Sequence, residues 1–282
     1  MLKIAISCDT TAALSKTEIA ELGVFVLPLN VIVDEKEYHD GVDITLDQLA
    51  QMMRGGSKIK TSTPTPYEME EFFDKILAQG YDKVIHFTIS SKLSSIYSMF
   101  TVGCKEKYGD KVIIIDSLSV CSYMGSIVKH AIKLKNQGMS PEEIVSQVQK
   151  HIGFENIYFI PESLVFLKRG GRISPAAAAV GNLLGIKPVL RFVDGAIEKG
   201  TTTRAVKQFL PTIIEDFKNK NYSKDEYDIH IVQVDCQATS KMVQEILKKE
   251  FPEFAIYVTP ISINVCAHAG PGTIGIGVTF KP

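Results

Sequence analysis

Four segments of this chain gather side chains suited to holding an anion. Lys60-Thr61-Ser62-Thr63-Pro64-Thr65-Pro66 sets four hydroxyls in five positions, and Thr88-Ile89-Ser90-Ser91-Lys92-Leu93-Ser94-Ser95 is also hydroxyl-rich. Each precedes a segment that reads as a helix. Helix amino termini present unpaired backbone N–H groups and a partial positive charge, which together with hydroxyl donors suit a carboxylate or a phosphate. Ser and Thr are equally the ordinary residues of caps, so a purely structural reading stands beside the functional one. The third segment is His268-Ala269-Gly270-Pro271-Gly272, where glycines around a proline permit a tight loop. Its imidazole either donates to an anion, directly or through a hydroxyl, or is just a turn residue. The fourth is Lys168-Arg169-Gly170-Gly171-Arg172-Ile173, an anion clamp, a docking surface or a solvated basic turn.

Several other chemistries are missing from the sequence. There is no G-x-x-x-x-G-K-[ST] phosphate loop, no G-x-G-x-x-G after the first strand and no G-x-S-x-G nucleophile elbow. The six histidines show no metal-ligand spacing, and the five cysteines are scattered without a C-x-x-C pair. No metal and no cofactor are therefore expected. Abundant hydroxyls without an activating base suit binding better than acyl transfer, although His268 acting on Ser94 or Ser95 stays open as the enzymatic alternative. A net charge of -1 with 22% charged residues gives no field to gather nucleic acid. No signal peptide is legible, and no apolar run approaches the ~18 residues of a membrane span. A reduced, cytoplasmic protein without stable membrane insertion is expected.

The elements that must position these segments follow the rhythm of a parallel α/β sheet. Short apolar stretches at 3–7, 83–88 and 111–116 read as strands, each ending in a polar loop before a helical segment. A further stretch at 24–33 is interrupted by Pro28, which favours an edge or irregular strand. Thr45-x-x-Gln48, Thr65-x-x-Glu68 and Ser140-x-x-Glu143 have the capping-box pattern, the last two with proline at the first helical position. Ligands of parallel sheets sit beyond the carboxyl ends of the strands, which aligns residues 9–11, 88–95 and 116–119 along one rim. After about residue 160 the texture changes. Ser174-Pro175 and a small-residue helix at 176–184 are expected there, then strands at 189–193, 196–198, 229–234 and 256–261, helices at 204–219 and 240–250, and a closing strand. The chain divides into an amino-terminal lobe, 1–160, and a carboxy-terminal lobe, 161–282.

Taken together the motifs resemble the DegV family of bacterial fatty-acid-binding proteins. The likeness spans the chain and rests on Asp9-Thr10-Thr11, KTSTPTP at 60–66, SSKLSSIYS at 90–98, Asp116-Ser117, LKRGGRIS at 167–174 and HAGPGTIGIG at 268–277. The resemblance implies a two-lobed α/β fold enclosing one long-chain fatty acid, its acyl chain in an apolar tunnel. It implies that the carboxylate meets Thr61, Ser62 or both, together with Ser94 or Ser95, and His268. It further implies a protein that catalyses nothing itself and presents the acid to a separate ATP-using kinase subunit related to dihydroxyacetone kinases, with Arg172 and Arg204 as docking candidates. Here Ser95-Ile96 stands where the family usually has Gly-Thr. Burying ~10 methylenes at about 0.8 kcal/mol each gains roughly 8 kcal/mol before ordering costs, so the head group mainly orients the ligand. The residues at 176–184 are read as tunnel wall or as close helix packing.

Overall fold

The computed structural model describes residues 2–153, 156–173 and 185–282. The segment 174–184, with the expected small-residue helix, lies outside the described residues. The amino-terminal part opens with strand β1 (Ile4–Asp9), followed by α1 (Lys16–Leu22), β2 (Phe25–Leu27), β3 (Asn30–Val33), β4 (Lys36–His39) and α2 (Leu46–Arg54). It continues through β5 (Ile59–Ser62), α3 (Pro66–Leu77), β6 (Lys83–Thr88), α4 (Ile96–Tyr108), β7 (Val112–Asp116), α5 (Cys121–Asn136) and α6 (Pro141–Gln149). Beyond these come β8 (Asn156–Ile160), α7 (Val165–Gly170), β9 (Lys187–Val193), β10 (Ala196–Thr203) and α8 (Val206–Lys220). The chain closes with β11 (Tyr227–Gln233), α9 (Gln237–Glu250), β12 (Ile256–Pro260), α10 (Ile263–Ala269) and β13 (Ile274–Phe280).

Three sheets result. The first, in the order β2-β1-β6-β7, is entirely parallel. The near-continuous burial of β1 and β6 is what strands covered on both faces require. The second is a small antiparallel sheet, β4-β3-β5. The third, in the order β10-β9-β8-β13-β11-β12, is antiparallel except for the β11–β12 pair. Strand β8 pairs with β13 and β9, so the end of the expected amino-terminal lobe is hydrogen-bonded into the carboxy-terminal sheet.

The three anticipated capping boxes form, each with the Ser or Thr hydroxyl accepting the third-position N–H and the Glu or Gln side chain reaching back. The stretch 24–33 is split at Pro28-Leu29 into β2, on the edge of the parallel sheet, and β3, which leaves for the small sheet. One apolar cluster joins the small sheet, α2, α5 and α10 to the inner face of the large sheet, through Val31, Leu49, Tyr123, Ile157, Phe192, Val232 and Cys266. That shared core brings the loops of one lobe against the glycine-rich turns of the other. Among the described residues no helix is long and apolar enough to cross a membrane.

Candidate functional site

The hydroxyl-rich loops are held in place by two aspartates at the strand ends. Asp9, fully buried at the end of β1, accepts the Thr11 backbone N–H and hydroxyl and, through its other oxygen, the Ile89 N–H at 2.8 Å. Burial raises its pKa, while those three hydrogen bonds hold it down. Asp116, at the end of β7, accepts the N–H groups of Ser91 and Leu118, both at 3.0 Å. Ser90 N–H donates to Ser119 O, and the Ser90 hydroxyl donates to Gly195 O at 2.6 Å, across to the β9–β10 turn. The three strand-end loops thus form one rim, as the parallel-sheet pattern requires. They fix the serine segment so that Ser94 faces inward.

Thr61 and Ser62 do not lie in a loop before a helix; they end strand β5, paired with Val31 and Asn30 of β3. The Thr61 hydroxyl is hydrogen-bonded to His268 Nε2 at 2.8 Å. His268 sits in the last turn of α10, a helix capped by the Ser262 hydroxyl, which accepts the Val265 N–H. Its ring lies against the backbone of Gly170, where a Cβ would stand 2.1 Å from Nδ1. The basic glycine turn therefore leaves room for the imidazole of the other motif. Burial, and secondarily the charge of Arg172, push the His268 pKa down to about 4. At neutral pH the ring is uncharged and keeps one N–H to donate.

These side chains surround a cavity of about 350 Å³. Among the described residues its polar lining includes Thr61, Ser62, Thr63, Ser94, Asn264 and His268 with Arg172, and most of the rest, contributed by both lobes, is apolar. A cavity of this kind, mostly hydrophobic with a few converging polar groups, is the usual form of a small-molecule site. Ser94 accepts the Ile96 N–H at 3.3 Å, which leaves its own proton to donate. Among the described residues no carboxylate is in the lining. The polar end consequently offers donors and one positive charge to a negative head group. Among the described residues no carboxylate is hydrogen-bonded to His268. Nor do the described residues include a group of three or more His, Cys, Asp or Glu able to hold a metal.

Of the expected head-group residues, Thr61, Ser62, Ser94 and His268 are brought together. Ser95 is exposed at the start of α4 and is not in the lining, because the turn that aims Ser94 inward points its neighbour away. Arg172, expected at a docking surface, lines the cavity instead: its Nε donates to Leu93 O at 3.0 Å and its Nη1 to Gly170 O. It thereby ties the serine segment to the glycine turn. Arg204 lies exposed beside α8, in a separate groove with Lys187, Lys207 and Asp235. Ile96 lines the cavity, whereas Phe87 and Phe100 are ordinary core. Sequence reasoning assigned no site role to Thr63, Asn264 or Tyr123. Thr63 lay inside a segment already singled out, while nothing local marked the other two.

A model for the family described as "Uncharacterised protein, DegV family" matches residues 3–281. A DegV domain-containing protein of Clostridium perfringens is 31% identical over 292 residues, covering 100% of each chain. Among solved structures, a fatty acid binding DegV family protein from Streptococcus agalactiae superposes with a TM-score of 0.90 at 27% identity, with 100% of each chain covered. A stearic acid-binding protein from Eubacterium ventriosum gives a TM-score of 0.87 at 26% identity, covering 100% of this chain and 98% of its own. The two-lobed α/β architecture read from the sequence is the one these structures share, and this chain belongs to the DegV family.

Proposed function

We propose that the chain binds one long-chain fatty acid, with the acyl chain in the cavity and the carboxylate among Thr61, Ser62, Ser94 and His268. The observation that carries this reading is the form of the cavity: a mostly apolar lining in which the Thr61 hydroxyl is bonded to a neutral imidazole and the Arg172 guanidinium is tied to the serine segment. Support comes from the solved relatives described as fatty acid binding, including the stearic acid-binding protein. Arg172 balances the head-group charge, and Ser95 is given no part in holding it. A carboxylate in this position accepts hydrogen bonds and faces no activated nucleophile, so the chain acts as a carrier and not as an enzyme. Its product-forming partner is a separate ATP-using kinase subunit related to dihydroxyacetone kinases, with exposed Arg204 as a docking contact. Five free cysteines fit a reducing cytoplasm.

Titration calorimetry of delipidated protein with palmitate tests the binding. One site per chain is expected, with Kd weakened by Ser94→Ala and by Thr61→Val and with cetyl alcohol bound more weakly than the acid. Equal binding of acid and alcohol would remove the carboxylate assignment. Acyl-phosphate formation when a candidate kinase, ATP and the loaded chain are combined, and none with either protein alone, tests the partnership.

A further inference from the structure

The far end of the cavity is built on the inner face of the large sheet, and the register identifies what closes it. Side chains two apart on a strand share a face, so Gly275 and Gly277 of β13 point the same way. Gly275 is flanked by Phe159 of β8 and Val232 of β11, and Gly277 by Ile157 and His230. Phe192 of β9 continues the second row beyond Ile157. Gly275 follows closely behind the turn carrying His268, so its row is the one nearer the head group. The cavity touches Phe159, Gly275 and Val232, then Ile157 and Phe192 of the second row, but neither Gly277 nor His230.

What covers those two is Tyr123 of α5. A Cβ on Gly277 would stand 2.9 Å from Tyr123 Cε1, so the ring rests on the bare strand, and its hydroxyl donates to His230 O at 3.1 Å. Tyr123 is 1% exposed and itself lines the cavity. Resting on the fatty-acid reading above, we infer that Tyr123, seated on Gly277, is the stop that sets the length of acyl chain this protein accepts. Val232 sets the depth of the chamber just before it. The glycine at 277 admits the tyrosine ring, and the glycine at 275 lets the Val232 methyl lie flat, since a Cβ there would stand 2.6 Å from Val232 Cγ2. The protein therefore measures its ligand at the tail, independently of the hydroxyls that hold the head.

The test is competition. Delipidated protein is offered an equimolar mixture of laurate, myristate, palmitate and stearate, and the bound acids are counted by native mass spectrometry. Tyr123→Ala opens the slot over Gly277 and should raise stearate relative to myristate by about tenfold, the worth of two methylenes given a place. Val232→Leu thickens the floor while leaving Tyr123 seated, and should lower the same ratio. It also decides the matter should Tyr123→Ala fail to fold, as judged by thermal unfolding. Folded variants that bind fatty acid but keep the wild-type preference would overturn the assignment alone. Wild-type protein that takes up none of the four acids would overturn the fatty-acid reading and this inference with it.

Discussion

Gly170→Ala is expected to weaken carboxylate binding as severely as deletion of the His268 side chain, although Gly170 itself touches no ligand. A Cβ at 170 would stand 2.1 Å from His268 Nδ1 and 3.0 Å from Cε1, well inside contact distance. The alanine backbone is unstrained there, because Gly170 is not among the residues with positive φ. Of the two neighbours the imidazole is the one able to move, and moving it breaks the 2.8 Å hydrogen bond that orients the Thr61 hydroxyl for the head group. A hydrogen bond to a charged acceptor is worth about 1.5–3 kcal/mol, which is roughly ten- to a hundredfold in Kd. The assay is calorimetric titration of palmitate into wild type, Gly170→Ala, His268→Ala and the double variant. Because both substitutions act through one side chain, Gly170→Ala should cost almost nothing once His268 is alanine. Wild-type affinity in Gly170→Ala, or additive losses in the double variant, would refute the packing argument.

Three further outcomes follow from buried titratable groups. Asp40, 6% exposed and accepting the Asn264 N–H, has its pKa pushed up to about 7, chiefly by burial. Its stabilising contribution is present below the ordinary carboxylate pKa and is lost as pH rises through about 7, so Asp40→Asn should gain up to roughly 4 kcal/mol over wild type at pH 8. Denaturant unfolding at pH 5 and pH 8 checks this; a gain independent of pH would contradict it. His86 and His230, 0% and 7% exposed, have pKa values lowered by burial to about 3 and about 4. The unfolded chain takes up their protons below about pH 6.5 while the fold does not, so stability should fall from there toward pH 4, by roughly 3 kcal/mol or more per group. Melting temperatures unchanged between pH 7 and pH 5 would oppose that account. Asp9→Ala strands the buried Ile89 and Thr11 donors and should cost about 2–5 kcal/mol by denaturant unfolding, with loss of fatty-acid binding as the serine segment loosens.

The parts of the fold that local chemistry specifies could be read from the sequence. Capping boxes at Thr45, Thr65 and Ser140, the break at Pro28, and the strand–loop–helix rhythm are each settled by a few adjacent residues, and the structure has them all. What failed depends on distant neighbours. Thr61 and Ser62 form a strand because β3, about thirty residues earlier, pairs with them, and a hydroxyl-rich segment carries no strand pattern of its own. That His268 and Ala269 end a helix and do not open a loop is not legible, because the seven residues of α10, Ile-Asn-Val-Cys-Ala-His-Ala, are mostly buried and show no amphipathic period. Separating Ser94 from Ser95 requires the phase of α4, and placing Arg172 in the cavity requires knowing that Leu93 O lies across from it. Tyr123 was invisible as a site residue because the glycines beneath it belong to a strand some 150 residues later.

Whether the cavity holds a fatty acid is answered by native mass spectrometry of the freshly purified chain, followed by organic extraction. A single species heavier than the chain by one long-chain fatty acid is expected, which extraction releases and identifies. A bare chain that also fails to take up added palmitate or oleate would contradict it.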